Sequence, residues 1–283
     1  MEDTSGKPRR AADMTSLGGR FANVDATADP SGFVRYLDDT ARRFLERKRA
    51  SYALLELKPG DAVLDVGCGP GSDLFELEAI VGPTGRAVGI DSSTTMIDEV
   101  RRRAASTGSR AELELASVES LPFANGTFDA VRTERLLMHV ADAARAVREL
   151  ARVTKPGGRV VAIEPDHQMT ALDAADGEVC DRVFRGLHMS LASPRIGRQL
   201  RALFLDAGLV DVDARVVPLV ITSWADFRAI AGFGDDLQAN AIARGLATPE
   251  QARALVSNFE ARDRDGRFFA CLVVMRCKGV RAA

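Results

Sequence analysis

A chain of 283 residues with 46% hydrophobic side chains has room for one large or two small domains, each with a buried core. Its 38 lysines and arginines stand against 40 aspartates and glutamates, so no basic excess favours nucleic acid or an anionic membrane surface. No apolar run is long enough to span a bilayer, and the N-terminus carries positive charge without an apolar core, which is not a secretory pattern.

Residues 1–20 are polar with scattered Gly and Pro, and a flexible N-terminus is expected there. Over residues 30–56, Phe33, Leu37, Ala41, Phe44 and Leu45 recur at spacings of three and four, the period of an amphipathic helix. Strands and helices then alternate. Strands are expected at Ala62–Val66, Arg86–Asp91, Ala111–Ala116, Phe128–Thr133 and Arg159–Ile163. Helices are expected at Ser72–Val81, Ser93–Ala105 and Leu136–Val153, with turns at Gly82–Gly85 and Lys155–Gly158. Apolar strands alternating with helices imply a parallel sheet covered on both faces. Pro165–Gly208 breaks the rhythm and is mixed and helix-prone. Two late strands follow, near Val210–Ile221 and Arg267–Lys278, with a helical stretch Trp224–Ala261 between them. Cys68, Cys180, Cys271 and Cys277 show no C-x-x-C spacing, so they read as free thiols of a cytoplasmic protein, with no metal site expected.

"VLDVGCGPG", Val63–Gly71, ends the first strand and opens the first helix, where a parallel sheet binds its ligands. The dinucleotide fingerprint would put its third glycine where Ser72 stands, and Pro70 lacks an N–H for a pyrophosphate. The pattern Asp65, Gly67, Gly69, Gly71 suits a ligand with an amino-acid end. The acid helps hold an ammonium, the glycine backbone lies against a sulfonium-bearing chain, and Cys68 fills the loop. Asp91, with Ser92 beside it, ends the second strand and can accept both hydroxyls of a ribose. Met96 lies one turn into the next helix, as a core residue or against an adenine.

Together "VLDVGCGPG", "VGID", "LPFANGTFDAV" and "LARVTKPGGRVV" resemble class I S-adenosylmethionine-dependent methyltransferases, in the subgroup similar to the small-molecule enzymes of ubiquinone and menaquinone biosynthesis. The resemblance covers roughly Gly60 to Gly208. It implies S-adenosyl-L-methionine as cofactor and a doubly wound, Rossmann-like α/β fold. The implied sheet has seven strands, mostly parallel, in the order 3-2-1-4-5-7-6 with strand 7 antiparallel. After the third strand many members carry an Asp for the adenine. This sequence reads Ala116-Ser117-Val118-Glu119 there, which makes Ser117, Val118 and Glu119 the candidate contacts. The resemblance divides the chain into the flexible residues 1–20, a helical lid over 21–57, and a methyltransferase domain over 58–279. An acceptor-covering insert spans about 165–208, and the helical segment about 224–261 completes the pocket.

Methyl transfer needs alignment and exclusion of water more than a catalytic triad, and a base helps when the acceptor is a hydroxyl or amine. The exit of strand 4, "TERLLMHV", offers Glu134, Arg135 and His139, with Glu134 also a candidate cofactor contact. The exit of strand 5, "IEPDHQ", offers Glu164, Asp166 and His167. His139, Asp166 and His167 are the catalytic candidates. A backbone-bonded helix residue is the plainer reading of His139, and pairing with Glu134 the plainer reading of Arg135. His188 lies in the insert, and Phe21, Phe33 and Tyr36 lie in the leader, where they close over the ligand or pack elsewhere on the sheet. The leading expectation is methylation of a small apolar metabolite such as a quinone, polyketide or terpenoid precursor. The alternative is a cyclase or isomerase that keeps the cofactor without methylating. Nucleic acid and membrane insertion are not expected, and the sequence leaves open a homodimer and the atom methylated.

Overall fold

The computed structural model describes residues 21–189, 191–231 and 236–283, without the side chains of residues 22, 187, 188, 231 and 236. The expected flexible segment 1–20 and the side chain of His188 therefore lie outside the described residues.

Eight strands form one sheet: β1 (Ala62–Val66), β2 (Arg86–Asp91), β3 (Glu112–Leu115), β4 (Phe128–Glu134), β5 (Thr154–Pro165), β6 (Ala171–Leu172), β7 (Leu209–Ile221) and β8 (Ala270–Arg281). β3-β2-β1-β4-β5 run parallel. β8 lies antiparallel to β5 and pairs with β7 on its other side. The seven long strands thus follow the expected order, with β8 as the antiparallel member. The two-residue β6, paired to Ala270 and Cys271 beyond the end of β5, is too short to leave a period in the sequence.

The helices are α1 (Pro30–Arg43), α2 (Leu45–Tyr52), α3 (Ser72–Val81), α4 (Thr94–Thr107), α5 (Ala143–Val153), α6 (Gly177–His188), α7 (Ile196–Asp206), α8 (Trp224–Ala231), α9 (Asp236–Ala243) and α10 (Pro249–Arg264). Successive strand residues face opposite layers. Val63 packs with Leu74, Leu77 and Val81 of α3, while Leu64 and Val66 pack with Val147 and Leu150 of α5. That two-sided burial is why the central strands are mainly apolar, with Asp65 in β1 and Arg132 in β4 as buried charged exceptions.

The expected helix from Leu136 begins only at Ala143, where the Asp142 carboxylate accepts the Arg145 N–H at 2.9 Å. The preceding residues form a single 3-10 turn, Leu137–His139, because the Glu164 carboxylate accepts the amides of Leu136 and Leu137 at 2.9 and 2.7 Å. The helical stretch after β7 is three helices, and α10 opens on a capping box between Thr248 and Gln251. A separate aromatic core of Phe184, Trp224, Phe227, Phe259 and Phe268 joins this cap to the ends of β7 and β8.

The leader spans the two halves. Phe33 and Val24 bury against Met96. Asp38 and Arg103 form a double hydrogen bond at 2.7–2.8 Å. The Asp25 carboxylate caps α4 from a distance, accepting Ser93 Oγ at 2.7 Å and the amides of Thr94 and Thr95 at 2.8 and 3.1 Å. Burial opposes the charge on Asp25, but the Thr95 and Ser93 hydroxyls and the two amides outweigh it and pull the carboxyl down to about 2. Toward the cap, Tyr36 donates its hydroxyl to the Ile230 carbonyl at 2.9 Å, and Arg43 meets Asp226 at 2.6 Å.

Candidate active site

Gly67, Gly69 and Gly71 all take left-handed backbone, at φ of +74°, +52° and +87°. A Cβ on Gly67 would stand 3.1 Å from the Leu136 side chain, and one on Gly69 would stand 3.3 Å from Leu37 of the leader. Asp91 holds this loop in place. Its two oxygens accept the Gly69 and Ser93 amides at 3.0 and 2.9 Å. Burial pushes its carboxyl up, against the pull of the Ser93 and Gly69 amides. Part of the acceptor capacity expected for a ribose is therefore spent on the loop itself.

Three cavities meet around this loop. One of about 960 Å³ runs past Asp91, Ser92, Ser117, Val118 and Glu119. A second, of about 130 Å³, lies over Gly67–Pro70 beside Lys48 and Asp73. The third, of about 260 Å³, is bounded by Tyr36, Phe44, His167, Leu219, Leu237 and Val274. Phe21 and His139 line all three, with their rings 5.3 Å apart. Phe21 also packs edge-on to Phe33 at 4.7 Å. Met96 borders the second cavity but is 2% exposed beneath the leader, so packing is its main role. Cys68 is buried in the loop, and burial pushes its thiol well up, away from nucleophile chemistry.

Behind the glycines lies a buried charge network that the motif does not announce. Arg132 Nη1 donates to Asp73 at 3.1 Å and to Asp65 at 3.3 Å, and Nη2 donates to Glu134. Lys48 from the leader reaches Asp73 at 2.8 Å and Glu134 at 3.0 Å. Tyr52 donates to Asp73, and the Arg132 guanidinium sits 5.3 Å over its ring. Burial works against both Asp73 and Glu134, but Arg132 and Lys48 hold their carboxyls below the usual range. Asp65 differs: burial dominates and raises it, and its Oδ2 has no partner. It lines none of the three cavities, and its carboxylate accepts from Arg132. Spacing and composition do not single out Asp73, Lys48 or Arg132 as site residues. The available signal was an arginine inside the apolar strand "FDAVRTE".

Asp166 was expected to face the acceptor. It is instead fully buried and lines none of these cavities, because Arg198 grips both carboxylate oxygens, with Nη2 at 2.6 Å. It ties β5 to α7. His167 does line the third cavity, with Nε2 3.4 Å from Met138 Sδ. Glu119 lines the first cavity while its carboxylate accepts the Asp142 amide at 2.9 Å. Glu164 is fully buried, with Oε2 unpartnered, and burial pushes its carboxyl up to about 8 against the amides it accepts. Arg135 forms no ion pair with Glu134. It donates to Tyr36 Oη at 3.4 Å and Thr40 Oγ1 at 3.2 Å, with its guanidinium 5.7 Å from the Tyr36 ring centre.

A methyltransferase-domain family matches residues 63–158. An uncharacterised 37.1 kDa protein in transposon Tn4556 of Streptomyces fradiae is 41% identical over 223 residues, a match that takes in 78% of this chain and 61% of that one. The demethylmenaquinone methyltransferase of Symbiobacterium thermophilum is 33% identical over 60% of this chain and 77% of its own. In fold, the YcgJ protein of Bacillus subtilis superposes with a TM-score of 0.58 at 19% identity, covering 83% of this chain and 98% of the other.

Proposed function

The chain belongs to the class I S-adenosylmethionine-dependent methyltransferases of the quinone-biosynthesis-like type, and on that premise we propose that it methylates a small, largely apolar acceptor seated in the 260 Å³ cavity. When bound, S-adenosylmethionine supplies a methyl carbon activated by positive sulfur. The residues at hand fit that cofactor. The left-handed glycines have no room for a Cβ against Leu136, Leu37 and Val100, so the loop presents bare backbone to the cavity over Gly67–Pro70, and the first cavity beside Asp91 has room for a nucleoside. Asp91, Ser92, Ser117 and the Val118 amide would hold the nucleoside. Gly67 and Gly69, with Asp73, Lys48 and Glu134 nearby, would hold the amino-acid end.

The observation that carries the reading is the junction: Phe21 and His139 border the cofactor cavities and the apolar cavity alike. His139 takes the acceptor's proton there, and Phe21 with α1 and α2 closes the junction to water. The apolar lining, with Phe44, Leu219, Leu237 and Val274, supports a quinone, polyketide or terpenoid body. Among the described residues no helix is long and apolar enough to cross a membrane. The test is transfer of labelled methyl into organic-extractable product from a panel of such compounds. His139→Ala should lower turnover about 100-fold while S-adenosylhomocysteine binding persists. Transfer confined to polar amines or phosphate esters would contradict the reading.

A further inference from the structure

The 260 Å³ cavity is apolar in area but unbalanced in charge. Its described lining includes Arg47, Lys48, Arg135 and Arg276, and one acid, Glu134. That acid is already occupied by Lys48 and Arg132. Lys48 is further engaged by Asp73. The other three cations lack a carboxylate partner among the described residues. Arg47 reaches the Pro218 carbonyl at 3.3 Å, Arg135 reaches two hydroxyls, and the Arg276 guanidinium makes no hydrogen bond or ion pair to a described residue.

Backbone geometry brings Arg135, at the end of β4, and Arg276, on β8, to the same cavity with β5 between them. Glu134 is in register with Ile163 of β5, and Ile163 with Arg276 of β8, so all three share a face. Regular alternation would turn Arg135 to the opposite face. Its φ of +54° breaks that alternation, and both Glu134 and Arg135 line the cavity. Left-handed backbone at a non-glycine residue carries a cost, and here it delivers a guanidinium into a largely apolar cavity where it has two hydroxyls but no ion pair with a described carboxylate. The forked N–H groups of a guanidinium match a carboxylate in two parallel hydrogen bonds. Arg135 also borders the cavity beside Lys48 and Asp73, but Arg47 and Arg276 border the acceptor cavity alone among the three. The unmatched charge therefore belongs to the acceptor side.

We propose that the acceptor is an organic acid, an apolar body bearing one carboxylate, and that Arg135 and Arg276 are the counter-ions that seat it. This rests on the methyl-transfer reading of the same cavity. The test is calorimetric titration of the full chain, saturated with S-adenosylhomocysteine, with 2-naphthoate and with its neutral isostere 2-naphthamide. The wild type should bind the carboxylate at least tenfold more tightly than the amide. Arg276→Gln should cut that preference at least fivefold with S-adenosylhomocysteine affinity unchanged, and Arg135→Lys should cut it as well. Equal affinity for acid and amide in the wild type, a preference that survives both substitutions, or no binding of either compound would overturn the proposal. Failure to bind S-adenosylhomocysteine in the preceding titration would instead strike the methyl-transfer reading, so the two failures are distinct.

Discussion

On the glycine-loop side, the site holds its shape through charge and backbone. Arg132 and Lys48 tie Asp65, Asp73 and Glu134 together, and Asp91 pins the loop by two amides. On the cap side the same task falls to aromatic packing. Trp224 stacks on Phe227 at 5.8 Å and lies 4.9 Å from Phe259, which meets Phe268 edge-on. Charge and hydrogen bonds fix directions, as a constant cofactor requires. Apolar packing fixes volume and tolerates exchange of similar side chains, as a variable acceptor requires. Between the halves, the leader uses both means: Phe33 buries against Met96, while Asp25, Asp38 and Arg43 make polar ties.

Breaking the charged half should cost most. Arg132→Met strands Asp65 without a cation and leaves Asp73 and Glu134 to Lys48 alone, and breaking a buried pair from one side costs about 3–5 kcal/mol. Urea unfolding should show that loss, and a variant within 1 kcal/mol of wild type, on the order of a surface change, would mean the network is not what holds this half.

Glu164 sharpens the contrast, since it is a buried acid with no ion pair to a described cation. Its folded carboxyl lies at about 8 against an ordinary 4.5, so the folded protein holds a proton that the unfolded chain releases. Stability should therefore fall as pH rises between those values and level off above about 8. Glu164→Gln keeps an oxygen for the Leu136 and Leu137 amides. Its unfolding free energy, measured from pH 5 to 9, should decline less steeply than the wild type's, with the remaining slope left to Asp65 and Asp91. An identical decline in both proteins would assign the slope to other groups.

The leader should give the smallest effect. Asp25→Ala removes the acceptor at the start of α4, worth about 1 kcal/mol for a helix cap. Because the folded Asp25 carboxyl sits near 2, its contribution is complete above about pH 4 and is lost as pH falls toward 2. Proteolysis at neutral pH should cut the leader of this variant faster while leaving the sheet intact. Unchanged protection would show that Phe33 and Asp38 suffice to hold it.

What could be read from the sequence follows the range of the interactions. β1, β2, β4 and β5 are legible because burial on both faces makes them short, mainly apolar runs, and Asp91 because it closes one. The turn at Leu137–His139 was hidden, since its cause, Glu164, lies 27 residues away from Leu137 in the chain. Asp166 looked like a base because its partner Arg198 is 32 residues on. Lys48 was invisible as a site residue, because only the folded leader brings it to Asp73 and Glu134. Arg135 carried its true signal in a backbone angle, which composition and spacing do not encode.

The account turns on the loop and Asp91 forming a cofactor site with the leader closed over it. Calorimetric titration with S-adenosylhomocysteine tests this most directly, with NAD as the control. The wild type should bind S-adenosylhomocysteine one to one and NAD at least 100-fold more weakly. Asp91→Ala should lose tenfold or more, since it removes charge-assisted hydrogen bonds worth about 1.5–3 kcal/mol each and frees Gly69. Tighter binding of NAD, or an Asp91→Ala affinity equal to wild type, would contradict it.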